Sequence, residues 1–147
     1  MTEALFLFAS IAGVPVAVRA REVEAVVRLG DIVPVPLVAA HVRGLAALRS
    51  RVLTVIDMEA RIFGKGGLDE TASLAIVADI AAHSYGFLID SVSDICPAPE
   101  DAQPVHGRID PIWAAYVSGL VEHEGQSHLL VSLADFALPP GNDVLAA

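Results

Sequence analysis

Leu5-Phe6-Leu7-Phe8-Ala9-Ser10-Ile11, then Ala12-Gly13, then Val14-Pro15-Val16-Ala17-Val18: two apolar runs meet at a glycine turn, and this stretch decides the fold. Short runs of β-favouring residues flanking a turn signal predict a hairpin. Pro15 lacks a backbone donor, so the second run is expected to begin at a sheet edge. The same grammar recurs at Ser73–Ala78 and Ser84–Asp90 around Ala81-Ala82-His83, and at Tyr116–Glu122 and Ser127–Leu133 across His123-Glu124-Gly125-Gln126.

Between the hairpins the signals are more varied. Arg21–Leu29 fits either a short helical start or a strand. Pro34 and Pro36 force an extended segment, because proline and the residue before it avoid helix. Val38–Leu48 is expected as a short helix or helical turn, ending near Arg49-Ser50. Arg51–Asp57 is a strand by its β-branched content. Phe63-Gly64-Lys65-Gly66-Gly67 is a break. Ser91–Ile95 continues through Cys96-Pro97-Ala98-Pro99 as a second proline-forced extension, followed by a polar stretch from Glu100 to Pro111.

The two halves run in parallel. Val42-Arg43-Gly44-Leu45 and Val117-Ser118-Gly119-Leu120 each precede a strand, and Val55-Ile56-Asp57-Met58 and Val131-Ser132-Leu133-Ala134 close the first and the second unit. Each half thus carries about five short strands with a proline-led crossing in the middle. So few strands leave exposed edges unless they close into a small barrel. The expected architecture is mainly β: one domain over residues 1–147, made of two five-stranded barrels packed together, with short helical segments. The first subdomain is expected at 14–65 and the second at 72–138, with the N-terminal strand 4–12 contributing to the barrels.

Composition narrows the function. At 147 residues and 54% apolar content the chain is greasier than the roughly 45–50% of ordinary domains. Mean hydropathy is +0.60. No window of about 20 apolar residues is uninterrupted, so no membrane span is expected, and Glu3 stands where a signal peptide carries positive charge. The surplus apolar surface points to burial between barrels and against a partner. Net charge is −9, which opposes nucleic acid and anionic membrane as partners. The charge is uneven: residues 1–65 hold eight of the nine basic residues, and residues 66–147 hold twelve of the eighteen acids. The one cysteine, Cys96, excludes an internal disulfide, and a reducing cytoplasmic compartment is the simplest home.

Catalytic signals are weak. Asp57 follows an apolar strand, as a phospho-accepting aspartate would, and that is the alternative function. Such a site needs clustered acids and a later lysine, whereas the only lysine is Lys65 in the break. A strand-end cap is the plainer reading of Asp57. His123 and His128 flank a hairpin turn and are expected to face solvent. Cys96 has no histidine in its own motif and is expected as a small buried hydrophobe. No phosphate loop or dinucleotide fingerprint is present, so no enzyme, cofactor or metal is expected. What stands out is Val42-Arg43-Gly44-Leu45-Ala46-Ala47-Leu48-Arg49: Gly44 permits a close backbone approach, and an arginine such as Arg49 suits a forked contact to a partner's carboxylate.

Taken in order from about Ala4 to Leu138, the chain resembles the CheW-like domain of bacterial chemotaxis coupling proteins. The matching pieces are Val23-Glu24-Ala25-Val26, Val35-Pro36, Val42-Arg43-Gly44, Leu48-Arg49, Val55-Ile56-Asp57, Tyr85 through Asp94, Tyr116-Val117-Ser118-Gly119 and Leu129-Leu130-Val131. The resemblance implies SH3-like barrels and no catalysis. It implies an adaptor that links the cytoplasmic tip of methyl-accepting chemoreceptors to the regulatory domain of a CheA-type histidine kinase, in a flagellar or another chemosensory pathway. A head-to-tail self-association is a further expectation. By position, Val23, Glu24, Ile32 and Gly44 fall where the family contacts kinase or receptor, Arg49 falls on the arginine of its Asn-Leu-Arg-Gly stretch, and Arg43 joins them as a partner-binding candidate. Here that stretch reads Ala47-Leu48-Arg49-Ser50, the usual glutamate position is Ala25, and the tail opens with Pro139-Pro140.

Overall fold

Each predicted hairpin forms, and two-residue turns close them. The structure, a computed structural model, describes residues 3–64, 72–99 and 109–137. The Pro139-Pro140 tail, Lys65 and most of the polar stretch before Pro111 lie outside these residues. β1 (Glu3–Ile11) and β2 (Val14–Arg19) pair antiparallel through Ala12 and Gly13, whose φ angles of 52° and 79° are both positive. That geometry matches the twist of the flanking strands. A 3-10 turn at Ala20–Glu22 leads to β3 (Ala25–Arg28) and the two-residue β4 (Ile32–Val33). The hairpin of β5 (Val42–Leu48) and β6 (Arg51–Asp57) follows and runs into helix α1 (Met58–Phe63). After the gap come β7 (Leu74–Ile80), β8 (His83–Leu88) and β9 (Ser91–Pro99). The helical turn α2 (Pro111–Ala114), β10 (Val117–His123), β11 (Gln126–Val131) and the helical turn α3 (Ala134–Ala137) complete the described chain.

One expectation on local structure is corrected. Val38–Leu48 is no helix: from Val42 it is strand β5, with Ala46 buried between exposed Leu45 and Ala47. Its alanines and leucines favour helix, but pairing with the β-branched β6 along Leu45↔Thr54 and Ala46↔Leu53 overrides that preference. Pro15, at the start of β2, pairs only with Ser10 of β1, although further along β2 lies between β1 and β11. The parallel pairing with β11 begins at Val16, so the donor Pro15 lacks is not called on.

The strands form two sheets, ordered β10-β11-β2-β1-β9 and β3-β7-β8-β6-β5-β4. Except for the short β4, the orders are the same. Each has the leading hairpin of one half, β1–β2 or β7–β8, joined by a parallel pairing, β2–β11 or β8–β6, to the second strand of a hairpin from the other half. The sheets therefore cut across the expected division at 14–65 and 72–138. The leading hairpin of each half is built into the sheet of the other half. The Val-x-Gly-Leu parallel marks equivalent places: a register shift between Val42 and Gly44 in one hairpin, and between Val117 and Gly119 in the other. Such bulges bend a strand and increase its twist, which helps a sheet to roll.

Both sheets roll so that their edges approach each other. In the second, β3 and β4 are the edges, about 24 Å apart if the sheet were flat, yet only Leu29-Gly30-Asp31 connects them. Three linking residues reach about 14 Å at most. In the first, edge strands β9 and β10 meet through side chains, with His123 Nε2 3.1 Å from Asp94 Oδ2.

Three apolar clusters follow from this geometry. Phe6, Phe8, Ala17, Ala98, Val121 and Leu130 fill the first sheet. Leu29, Ala46, Leu53, Val55, Ala75, Val77 and Leu88 fill the second. The alternate residues of the same strands, including Leu7, Ile11, Val16, Val18, Ile56, Ile76 and Phe87, pack in a third cluster that joins the two sheets. β1, β2 and β7 are therefore apolar on both faces, which accounts for the high apolar content. No helix among the described residues is long and apolar enough to cross a membrane.

Candidate functional site

The six sequence-predicted site residues lie on or beside the second sheet, in two groups. Ile32, Arg43 and Gly44 lie on β4 and β5. Ile32 packs half-buried on the interior of the second sheet, and with Arg43 it lines a surface cleft beside Gly30, Asp31, Pro34 and Ser73. Gly44 has φ +150°, and a Cβ there would stand 2.2 Å from the carbonyl oxygen of Val33. The close approach expected at Gly44 is thus made by the chain's own β4 segment.

Arg43 is also turned inward. Its Nη2 donates to Asp57 Oδ2 at 2.6 Å. Asp57 is 2% exposed, and its Oδ1 accepts from the backbone N of Ala60 at 3.0 Å, capping α1. One carboxylate therefore ends β6, starts α1 and anchors β5. Both oxygens are engaged away from solvent, which suits a cap and leaves no approach for a phosphodonor. Beside it, the His41 backbone carbonyl accepts from the Asp57 backbone N–H at 2.8 Å. Burial, and then the Arg61 charge, lower the His41 pKa below 6.5.

Val23, Glu24 and Arg49 gather at the opposite end. Val23 packs against the cluster between the sheets. Glu24 is exposed and accepts a short hydrogen bond from Arg51 Nη2, while Arg51 Nη1 reaches Asp79 Oδ1 at 3.3 Å. The Glu24 hydrogen bond raises the Arg51 pKa above its ordinary value. Arg49 is exposed at the β5–β6 turn with φ 56°, a conformation that costs a non-glycine residue about 1–2 kcal/mol. Among the described residues it makes no hydrogen bond or ion pair. Of the two arginines six residues apart, one is therefore built into the fold and the other presents its charge to solvent.

Between the two groups the outer face of β4, β5 and β6 is mostly apolar, with Thr54 opposite Leu45. Val33 pairs with Leu45, and Val52 pairs with Ala47 one step along the same face. Val33 and Val52 are each 61% exposed and Leu45 is 38% exposed. Leu37, in the loop after β4, is fully exposed with φ 63°.

The histidine and cysteine expectations are also corrected. His128 is 4% exposed, and its ring sits edge-on to Phe8 with centroids 4.8 Å apart. His123 stacks on Phe8 at 4.2 Å. Cys96 is half-buried, with its Sγ 3.6 Å from His123 Nε2. Burial, and then the Asp94 charge, push the Cys96 thiol pKa up. Asp94 and Cys96 alternate onto one face of β9, a spacing legible in the sequence. The histidine that joins them is 27 residues further on, and no local pattern connects it.

Two rolled β-sheets sharing a core, with an exposed apolar strip on the second, make a small, mainly β protein. The chain matches the CheW-like domain over residues 5–137 and belongs to that family. It is 32% identical over 101 residues to a chemotaxis protein CheW of Rhizobium meliloti (strain 1021), covering 68% of this chain and 65% of that protein. It is 28% identical over 114 residues to a chemotaxis protein CheW of Treponema pallidum (strain Nichols), covering 74% and 66%. The matched part thus spans just under two thirds of each relative. Among solved structures, the scaffolding protein TtCheW from Thermoanaerobacter tengcongensis superposes with a TM-score of 0.81 at 22% identity, over 98% of this chain and 99% of that one. That likeness is one of fold.

Proposed function

We propose that this chain is a non-enzymatic, cytoplasmic adaptor of a chemosensory complex. It links the cytoplasmic tip of methyl-accepting chemoreceptors to the regulatory domain of a CheA-type histidine kinase by protein–protein contacts. The observation that carries this reading is the strip of Val33, Leu45 and Val52 on the outer face of the second sheet, bordered by the outward-facing Arg49. Desolvated apolar anchors beside an arginine are the usual composition of a protein-binding patch. Glu24 borders the same end of the sheet and belongs to the contact. Arg43, Gly44, Ile32 and Val23 contribute by shaping the strands that present it. The uneven charge of the two halves suits a polar head-to-tail association of successive subunits.

Arg49→Glu tests this reading, because the side chain has no structural partner among the described residues. In a pull-down with a CheA-type regulatory domain, the variant should keep the parent's circular dichroism and bind about tenfold more weakly, a loss of about 1.4 kcal/mol. A folded Arg49→Glu that binds as well as the parent removes Arg49 from the contact. If Val52→Asp also binds normally, the strip is not the docking face. Gly44→Ala cannot serve here, since a Cβ on the Val33 carbonyl disturbs the fold itself.

A further inference from the structure

We propose that Asp94, Cys96 and His123 form a binding site for a zinc-like divalent cation, which staples the two edges of the first sheet. Their ligand atoms all lie within 4.8 Å of one another. Cys96 Sγ is 3.6 Å from both ring nitrogens of His123, and His123 Nε2 is 3.1 Å from Asp94 Oδ2. Around a tetrahedral zinc with ordinary bond lengths, a sulfur–nitrogen edge is about 3.6 Å and a nitrogen–oxygen edge about 3.3 Å. The histidine–aspartate spacing is already close to that of a coordination sphere, and the sulfur lies within reach, with a side-chain rotation needed to carry it away from Nδ1.

Their orientations are fixed by the surrounding fold. Asp94 and Cys96 are two residues apart on edge strand β9 and project from the same face. Asp94 Oδ1 accepts from the Ile95 backbone N–H at 2.9 Å, leaving Oδ2 directed at the histidine. The His123 ring is nearly parallel to Phe8, with an interplanar angle of 7°. His128 is excluded as a ligand through Nδ1, which lies 3.1 Å from the Gln126 carbonyl oxygen. The site is open to the outside: the Asp94 side chain is 44% exposed, and Glu124 Oε2 lies 3.9 Å from His123 Nε2. A water or Glu124 can complete four-coordination.

The donor set selects the ion. Thiolate with imidazole favours zinc and its neighbours, whereas magnesium and calcium require oxygen. Binding takes one proton from the Cys96 thiol to solvent, and the neutral His123 donates the Nε2 lone pair while Nδ1 carries the ring proton. Nothing is oxidised or reduced. The ion would bridge β9 and β10, which no backbone link of a few residues joins, and binding to the folded form alone raises its stability.

Cobalt(II) is the probe, added to the full chain under reducing conditions and followed by its thiolate charge-transfer and tetrahedral d–d absorption. One cobalt per chain should bind, zinc should displace it, and zinc should raise the thermal midpoint. Cys96→Ser should abolish the charge-transfer band. His123→Gln and Asp94→Asn keep the cysteine and decide the matter: each should weaken binding about tenfold or more. Absence of a 1:1 complex overturns the proposal. So does unchanged affinity in both variants, which would mean that Cys96 binds metal alone. Should His123→Gln lose its fold with the Phe8 stack, the exposed Asp94→Asn decides by itself.

Discussion

The two sheets share a strand order and differ in how they close. The second is closed by the chain, since three residues carry β3 into β4, and its interior is aliphatic. The first is closed by side chains, with Asp94 and Cys96 on one edge facing His123 on the other, and its interior is built on Phe6 and Phe8 with two histidines against them. A covalent link holds whatever the solution contains. A seam of side-chain contacts holds only as long as those side chains keep their places. The same topology thus yields one unit fixed by connectivity, which carries the exposed apolar strip, and one whose closure depends on side chains.

Each unit is also tied by one aspartate, and the contrast between the two ties sharpens the comparison. In the second sheet, Asp57 is buried and pairs with Arg43 while capping α1. Asp57→Ala leaves the half-buried Arg43 without this partner and should cost about 3–5 kcal/mol, read as a lowered urea midpoint. In the first, Asp90 is exposed and accepts from Ser10 Oγ at 3.2 Å, Ala12 N at 3.1 Å and Gly13 N at 2.7 Å, fixing the β1–β2 turn. Water can replace some of these bonds, so Asp90→Ala should cost less, about 1–2 kcal/mol by the same measurement. Equal losses would show that burial does not separate the two units.

The smallest expected effect is in pH dependence. His41 has a folded pKa below its ordinary 6.5, so just below that value the unfolded chain binds more protons than the folded one. Its contribution is then lost as pH falls through 6.5 and is constant above it. In paired urea melts across that window, His41→Gln should fall less steeply than the parent. Parallel curves would place the acid sensitivity elsewhere in the chain.

How much was legible in the sequence follows from which signals are local. Alternation and turn residues announced the hairpins at Ala12-Gly13, Ala81-Ala82 and Glu124-Gly125, because a hairpin is specified within about fifteen residues. The Val-x-Gly-Leu repeat marked both bulges. The functional residues were harder to separate: Arg43 and Arg49 look alike in the chain, and only the buried Asp57 opposite one of them assigns different roles. The cluster at His123 was hidden for the same reason, since its members approach only when the first sheet rolls.

By itself the sequence determined a duplicated, hairpin-rich β protein with more apolar surface than one small core uses, together with its family. Tertiary structure decided which hairpin belongs to which sheet. The halves exchange their leading hairpins, so that β1–β2 completes the sheet of β9–β11 and β7–β8 completes that of β3–β6. The physical reason is that backbone pairing reads neither residue identity nor distance along the chain. Two similar hairpins satisfy either sheet's open edge, and the packing of both apolar faces of β1, β2 and β7 settles the choice.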